Sequence, residues 1–204
     1  MDDPLTVALS VLRRGRITPQ ERRASLRSVH TVEVYDFGVA ADGSFHYAME
    51  YLDGIDLSSL VKQHGPVAAD RVVYLLEQAC QSLADAHEHH LTHRDIKPAN
   101  IFICRLGTAR DFVKVLDFGL VRSGAMTAHG DEEATELTLE GEINGTPGYM
   151  APEMVLNGAE ADSRADIYAL GCVGYYLLTG MPVFDGPPMS VPVDHVKTPP
   201  APPS

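Results

Sequence analysis

The sequence predicts an α+β fold, in which a short β-rich region is followed by a larger helical region. Two β-rich runs, residues 31–39 and 44–52, come early and are joined by Asp42 and Gly43, a pair typical of hairpin turns. Helical periodicity dominates from residue 57 onward. Because strands and helices occupy separate parts of the chain instead of alternating, we do not expect a parallel βαβ architecture.

Residues 1–28 are predicted to form an irregular N-terminal arm. This stretch is polar, and six arginines lie between Arg13 and Arg27. Such a run of charges usually marks a solvated surface, and a basic docking site is the alternative interpretation.

Two helices are predicted after the β-rich runs. Residues 57–63 give a short helix, which ends at Gly65 and Pro66. Residues 69–89 give a long helix, because apolar residues recur along one of its sides.

A third helix is predicted at residues 163–179, after short strands and loops that extend to about residue 153. Eight of the 14 prolines lie between Pro182 and Pro203, so regular structure is expected to fade there.

The composition argues against nucleic acid as the main partner. Sixteen basic and 28 acidic residues give a net charge of −12, whereas phosphate binding requires a basic surface. The hydrophobic share of 45% is sufficient for a core, which excludes disorder throughout. The three cysteines are far apart and form no CxxC pair, so neither a disulfide scaffold nor a cysteine zinc site is expected. A reducing, cytoplasmic compartment is therefore favoured.

No membrane segment is predicted. The longest apolar run, residues 167–178, is too short for a membrane-spanning helix, which needs about 20 residues. The N-terminus begins with acidic residues and has no long apolar stretch, so it does not resemble a signal peptide.

Three motifs carry the chemistry of the chain. HRDIKPAN occupies residues 93–100, DFG residues 117–119 and GTPGYMAPE residues 145–153. One such motif alone would be a weak signal, whereas all three in this order and spacing are specific. Together they resemble the catalytic loop, the metal-binding motif and the end of the activation segment of eukaryotic-like protein kinases, most of all the bacterial serine/threonine kinases. The resemblance covers residues 29 to about 198.

This resemblance implies a protein-kinase-like fold that is truncated at both ends. The small lobe would be a remnant of about two strands, residues 29–52, and the large lobe, residues 53–198, would be mostly helical. Residues 199–204 would form a Pro-rich end. The implied activity is transfer of the γ-phosphoryl group of ATP to serine or threonine hydroxyls of a protein substrate, in signal transduction, with Mg²⁺ as the metal.

The resemblance also implies a role for each residue of the catalytic site. Asp95 would accept the proton of the substrate hydroxyl, and Lys97 would place its ammonium on the γ-phosphate. Asn100 and Asp117 would supply the oxygen ligands that suit Mg²⁺, so Asp117 also belongs to the nucleotide site. Thr146 resembles the threonine that bonds the catalytic aspartate and lysine in serine/threonine kinases.

The adenine end of the nucleotide is placed by the same resemblance. Met49 is similar to the gatekeeper residue, and backbone groups of Glu50 and Leu52 would bond the adenine edge. Asp56 stands where the family contacts the ribose, and Phe102 would pack under the base. Taken alone, Met49 and Phe102 are simply core residues.

Further residues are implied to support the catalytic loop. Arg94 resembles the arginine that pairs with a phosphate on the activation segment, for which Thr138 is the first candidate. His93 resembles the histidine that packs under Phe118. Asp166 resembles the buried aspartate that holds the loop backbone, and the alternative is an ordinary aspartate at a helix start.

A cluster of histidines suggests a metal site at first sight: His87, His89, His90 and His93. No carboxylate or thiol pattern accompanies them, and the last belongs to the HRD motif. Neither a metal site nor a metal-dependent hydrolase is therefore expected there.

Two parts of a complete kinase are missing from the sequence. No GxGxxG lies ahead of the β-rich runs, and no lysine precedes them, the four lysines being Lys62, Lys97, Lys114 and Lys197. Two functions therefore stay open. One is a serine/threonine kinase of which this chain is a fragment, and the other is a catalytically inactive pseudokinase that acts as a binding or scaffold module.

Overall fold

The computed structural model describes residues 8–13, 26–39, 44–116, 146–157 and 162–203. These residues form two three-stranded antiparallel sheets and five α-helices. The predicted α+β class is confirmed, since one sheet precedes all the helices in the chain. Within the described part of the chain, no helix is long and apolar enough to cross a membrane.

The first sheet places β1 (Ala8–Arg13) and β2 (Val34–Val39) on either side of β3 (Ser44–Met49). The predicted antiparallel pairing of β2 with β3 is confirmed, whereas the turn predicted at Asp42 and Gly43 lies outside the described residues. The expectation of an irregular arm is wrong for the six residues of β1, and the sheet has three strands instead of about two. Strand β1 pairs with the edge of β3 that β2 leaves free, and the backbone hydrogen bonds formed there stabilise it. The polar sequence around β1 gives no indication of this pairing.

The second sheet consists of β4 (Gly54–Asp56), β5 (Ile101–Leu106) and β6 (Ala109–Val115), with β5 in the middle. The backbones of β4 and β5 approach each other closely at the start of β4. A Cβ atom on Gly54 would lie only 2.0 Å from the carbonyl oxygen of Ile103. Only glycine therefore fits at this position.

Two helices lie between β4 and β5 in the chain, α1 (Leu57–His64) and α2 (Ala69–Glu88). Both agree with the helices predicted from the sequence, to within one residue at each end. Helix α1 ends at Gly65, whose φ of 78° lies in the left-handed region that glycine adopts without strain.

Three more helices follow in the C-terminal part, α3 (Pro152–Asn157), α4 (Arg164–Thr179) and α5 (Val191–Lys197). Helix α4 confirms the third predicted helix. The expectation that regular structure fades after Pro182 is wrong for α5. Pro192 lies in the first turn of α5, where a helix does not need the N–H that proline lacks.

The main core lies between α2, α4 and the second sheet. Its most deeply buried aliphatic side chains include Leu57, Leu75, Leu83, Ile96, Ile101, Val113, Val115, Val173 and Leu177. Each such burial contributes about 1.5–3 kcal/mol before the entropy of ordering is subtracted. Ile96 belongs to neither a helix nor a strand, and it fixes the loop between α2 and β5 on this core.

Residues 26–33, here termed the docked segment, are attached to α2 and to the second sheet. The carboxylate of Asp85 accepts the N–H groups of Arg27 at 2.6 Å and Ser28 at 2.9 Å. The N–H of Val32 donates to a carbonyl oxygen of β6 at 3.0 Å. The docked segment is therefore anchored outside the first sheet, although β2 of that sheet follows it directly.

Candidate active site

The loop between α2 and β5 carries three of the predicted catalytic side chains. The buried side chain of Ile96 anchors the loop, which ends in a single 3-10 turn at Pro98–Asn100. The N–H of Asn100 donates to the carbonyl oxygen of Lys97 at 3.0 Å. Because proline has no N–H to leave unsatisfied at the start of a turn, the sequence suits this tight geometry. The turn keeps Asp95 within hydrogen-bond distance of Lys97 and Asn100.

The predicted catalytic residues within the described part of the chain form one hydrogen-bonded group, termed the catalytic network: Asp95, Lys97, Asn100 and Thr146. Lys97 Nζ lies 2.9 Å from Asp95 Oδ2 and donates to Thr146 Oγ1 at 3.1 Å. The Thr146 hydroxyl donates to Asp95 Oδ1 at 2.9 Å. Asn100 Nδ2 donates to the backbone oxygen of Asp95 at 2.8 Å and to Oδ2 at 3.1 Å.

Asp95 keeps one acceptor position open within this network. An ionised carboxylate offers about four lone-pair positions, two on each oxygen. Among the described residues, Oδ2 receives Lys97 and Asn100, whereas Oδ1 receives Thr146 alone. The side chain of Asp95 is 39% exposed. The remaining position on Oδ1 can therefore accept a hydrogen bond from a hydroxyl outside the network.

Asn100 presents an oxygen that suits a cation. Its amide nitrogen must face Asp95, because both groups that it contacts there are acceptors. The amide oxygen then points away from Asp95 and accepts no hydrogen bond from the described residues. A hard amide oxygen of this kind fits Mg²⁺. The second predicted ligand, Asp117, lies outside the described residues.

Asp166 on α4 holds the backbone of the catalytic loop. Its buried carboxylate accepts the N–H groups of His93 at 2.8 Å and Arg94 at 2.7 Å, and His87 Nε2 lies at 2.8 Å. Burial raises the pKa of Asp166 above the ordinary carboxyl value, although the hydrogen bonds from His87 and His93 act in the opposite direction. This geometry favours the loop-holding position predicted for Asp166 over an ordinary aspartate at a helix start.

Sequence reasoning missed His87 as the partner of Asp166, because it treated this residue only as a member of the histidine cluster. The available signal was its position four residues after Leu83, on the apolar side of α2. Among the residues that the structure describes, no group of three or more His, Cys, Asp or Glu side chains could hold a metal ion.

Arg94 has an uncommon backbone conformation, and one of its guanidinium nitrogens has no partner among the described residues. Its φ of 69° lies in the left-handed region, which non-glycine residues seldom adopt. One terminal nitrogen is buried and has no hydrogen-bond partner among the described residues. Leaving a buried donor unsatisfied costs about 1–3 kcal/mol. An anionic group at this nitrogen would satisfy the donor.

His93 connects the catalytic loop to the end of β6. Its Nδ1 accepts the N–H of Asp95 at 3.3 Å, so Nε2 carries the proton and donates to the carbonyl oxygen of Leu116 at 2.6 Å. Because Leu116 directly precedes Asp117, His93 links the HRD and DFG motifs. The predicted packing of His93 under Phe118 lies outside the described residues.

The residues predicted for the adenine end lie at the end of the first sheet, on the second sheet and on the segment that joins the two. Phe102 is partly buried and stands directly opposite Asp56 in the pairing of β4 with β5. Met49 ends β3 and is also partly buried. Neither the carbonyl oxygen of Glu50 nor the N–H of Leu52 has a hydrogen-bond partner among the described residues. Their part in nucleotide binding stays a prediction.

Asp56 also has a structural task that the sequence did not reveal. Its Oδ1 accepts the N–H of Ser59 at 2.8 Å, and its Oδ2 accepts the Ser59 hydroxyl at 2.6 Å. Asp56 is therefore the N-cap of α1, a role typically worth about 1 kcal/mol.

Lys114 is a further candidate that sequence reasoning missed. It stands opposite Phe102 in the pairing of β5 with β6, and it is only 8% exposed. Its Nζ lies 2.5 Å from Glu50 Oε1 and donates to the carbonyl oxygen of Thr31 at 3.3 Å. The available signal was a single lysine within an apolar stretch of β6, because a buried lysine is almost always paired.

The chain is similar to known proteins over most of its length. Residues 19–197 match the family model described as protein kinase domain. The serine/threonine-protein kinase PknB of Mycolicibacterium smegmatis is 40% identical to the chain over 188 residues, and PknB of Mycobacterium tuberculosis H37Rv is 39% identical over the same length. The serine/threonine-protein kinase pkn3 of Myxococcus xanthus is 38% identical over 189 residues. These alignments cover 88–90% of the chain but only 28–34% of each relative.

Proposed function

The chain belongs to the protein kinase family, and on this premise we propose that its residues form the catalytic part of a serine/threonine protein kinase. The proposed reaction transfers the γ-phosphoryl group of ATP to a serine or threonine hydroxyl of a protein substrate. The observation that carries the proposal is the catalytic network, in which Asp95 keeps an acceptor position open beside the ammonium of Lys97. The relatives are themselves named serine/threonine-protein kinases, which supports the same substrate class.

In the proposed mechanism, the substrate hydroxyl donates a hydrogen bond to the open position on Asp95 Oδ1. The hydroxyl oxygen of the substrate forms a bond to the γ-phosphorus while the bond from that phosphorus to the β,γ-bridging oxygen breaks. The hydroxyl proton passes to Asp95, and ADP leaves with the electron pair. Thr146 and Asn100 hold the carboxylate in position during this transfer.

Lys97 is proposed to stabilise negative charge on the transferred group. A lysine ammonium has three N–H donors. One lies toward Asp95 and one donates to Thr146, which leaves one for a γ-phosphoryl oxygen. The side chain of Lys97 is 29% exposed, and this third donor is proposed to be the one that contacts the nucleotide.

Asn100 and Asp117 are proposed to hold Mg²⁺ through oxygen atoms. For Asn100, the proposal depends on the amide oxygen that points away from Asp95. For Asp117, it depends on the DFG motif in the sequence. When bound, the metal neutralises the charge that develops on the phosphates.

At the adenine end, the carbonyl oxygen of Glu50 and the N–H of Leu52 are proposed to bond the base. Both groups are unpaired among the described residues, so they are ready to bind without breaking an existing hydrogen bond. Phe102 is proposed to pack under the base and Met49 to border it. Asp56 would accept ribose hydroxyls with the lone pairs that its helix cap does not use.

A catalytically inactive binding module is the second candidate, and one observation favours it. No lysine precedes Lys62, so the chain lacks the lysine that pairs with the α- and β-phosphates in complete kinases. The intact catalytic network argues in the other direction, since a scaffold does not require it. A phosphoryl-transfer assay of a longer protein that contains this chain distinguishes the two candidates.

The 204-residue chain alone is expected to bind Mg·ATP no more tightly than about 100 μM. Without the glycine-rich motif and its lysine, little holds the phosphates, and the loss against a 10 μM reference exceeds about 1.4 kcal/mol. Isothermal titration calorimetry measures the affinity, and Mg·ADP is the matched control. We expect the two nucleotides to differ by less than about threefold. Low-micromolar binding of Mg·ATP would contradict this prediction.

In an active longer protein, phosphorylation of Thr138 is expected to raise activity through Arg94. The observation behind this proposal is the buried nitrogen of Arg94, which has no partner in the described part of the chain. A phosphate adds about −1.5 to −2 charges and strong acceptor oxygens. Pairing of the two would hold the neighbouring Asp95 in place. Thr138 lies outside the described residues, and Thr127 and Thr135 are the alternative sites.

Phosphopeptide mapping and a double-mutant cycle test this mechanism. If the phosphate acts through Arg94, Thr138→Ala and Arg94→Ala together should be little worse than either change alone. Fully additive losses of activity, or the absence of phosphate from Thr138, would exclude it. Thr127→Ala and Thr135→Ala are the matched controls, for which we expect unchanged activity.

A further inference from the structure

The backbone pairing that continues from β2 and β3 ends at an unusual pair, Glu33 and Glu50. The N–H of Glu50 donates to the carbonyl oxygen of Glu33 at 2.9 Å, as in a regular antiparallel pair. In such a pair the return bond would run from the N–H of Glu33 to the backbone carbonyl of Glu50. Instead, this N–H donates to the side-chain Oε1 of Glu50 at 2.8 Å. The carboxylate thus replaces the backbone carbonyl of its own residue as the acceptor.

Lys114 holds the Glu50 carboxylate in this position. Its Nζ lies 2.5 Å from the same Oε1 atom, and the two side chains are only 10% and 18% exposed. A second bond, to the carbonyl oxygen of Thr31 at 3.3 Å, fixes the ammonium against the docked segment. Charge-assisted hydrogen bonds of this kind are about twice as strong as neutral ones. Removing Lys114 would leave a largely buried carboxylate without its counter-ion, and the side chain would turn toward water.

The use of the Glu50 carboxylate as the acceptor has a direct effect on the backbone carbonyl of the same residue. Because the carboxylate satisfies the N–H of Glu33, the backbone carbonyl has no donor among the described residues. This carbonyl is one of the two groups that the proposed function assigns to the adenine edge. We infer that Lys114 is a positioning residue, which keeps the Glu50 carbonyl open for the 6-amino group of adenine by holding the Glu50 side chain on Glu33.

This inference rests on the proposed function and makes a more specific claim than general stabilisation. If Lys114 only stabilised the fold, its loss would weaken the binding of every nucleoside equally. If it keeps the carbonyl open, its loss weakens only those nucleosides that carry a 6-amino group. Adenosine carries this group and purine riboside lacks it. We therefore expect the wild-type chain to bind adenosine about tenfold more tightly than purine riboside.

NMR chemical-shift titrations with the two nucleosides at millimolar concentration measure this preference. We expect Lys114→Met and Glu50→Ala to reduce it below about twofold, because the freed N–H of Glu33 then captures the backbone carbonyl. Glu50→Gln keeps an acceptor for both donors, so a preference above about fivefold should remain. The matched control is Lys62→Met, the same chemical change at an exposed position of α1, which should leave the preference unchanged.

A second measurement does not depend on nucleoside binding. A scalar coupling across the hydrogen bond, from the backbone nitrogen of Glu33 to the carbonyl carbon of Glu50, should be absent in the wild-type chain and appear in Glu50→Ala. A coupling in the wild-type chain, or an undiminished preference in both Lys114→Met and Glu50→Ala, would overturn the inference. Failure of the wild-type chain to bind either nucleoside would refute the proposed nucleotide site. The coupling alone would still decide whether the two side chains keep the carbonyl open.

Discussion

Replacement of Asp95 by Asn is expected to lower phosphoryl transfer by about a thousandfold in an active protein that contains this chain, in line with the usual contribution of a general base. The asparagine side chain has the same shape, but it has no carboxylate to receive the hydroxyl proton. The fold should persist, because Asp95 and Lys97 are both partly exposed and such ion pairs contribute about 0–1 kcal/mol. The measurements are the transfer of labelled γ-phosphate to a protein substrate and the thermal unfolding of the variant.

Two further variants are compared with Asp95→Asn. Asp117→Asn should reduce transfer as strongly, through loss of the metal, and should weaken nucleotide binding more than Asp95→Asn does. Asp185→Asn makes the same chemical change at an exposed position and should leave the rate unchanged. An Asp95→Asn variant that phosphorylates substrate at the wild-type rate would refute the proposed base and favour another mechanism of hydroxyl activation.

Replacement of Asp166 by Asn is expected to destabilise the fold by about 3 kcal/mol. The carboxylate faces three groups, the N–H of His93, the N–H of Arg94 and the ring of His87. An asparagine offers one oxygen, and its amide nitrogen would face at least one of these donors inside the core. Because the site is buried, no water can relieve that conflict. The free energy of unfolding in urea measures the effect.

The control for this prediction is Asp185→Asn, at an exposed position, which should change the free energy of unfolding by less than about 0.5 kcal/mol. His87→Ala provides an intermediate test, since it removes one donor and leaves both backbone bonds of the catalytic loop in place. Stability equal to wild type in Asp166→Asn would show that the loop backbone is held by other contacts.

Much of the catalytic network could be predicted because most of it is local in sequence. Asp95, Lys97 and Asn100 lie within a single loop, so their spacing in the motif is nearly their arrangement in space. Thr146 is remote in sequence, and only the resemblance to a known family placed it beside them. Its hydrogen bonds to Asp95 and Lys97 agree with that expectation.

Most of the features that escaped prediction depend on a partner distant in the chain. Strand β1 exists because β3 has a second edge to pair with, which no local pattern announces. The pair of Lys114 and Glu50 spans 64 positions, and neither residue alone indicates the other. The helix cap that Asp56 forms with Ser59 is the exception, because its two residues are only three positions apart.

The open acceptor position on Asp95 has a consequence for selectivity. A carboxylate oxygen accepts a hydrogen bond from a water molecule as readily as from a serine or threonine, and water is always abundant. Nothing in the catalytic network itself would therefore prevent slow hydrolysis of the nucleotide. Discrimination between phosphorylation and hydrolysis has to come from the protein substrate, which displaces water when it binds, and from the surfaces that receive it. The catalytic network thus serves the chemical step, whereas the surfaces that receive the protein substrate determine which nucleophile reacts.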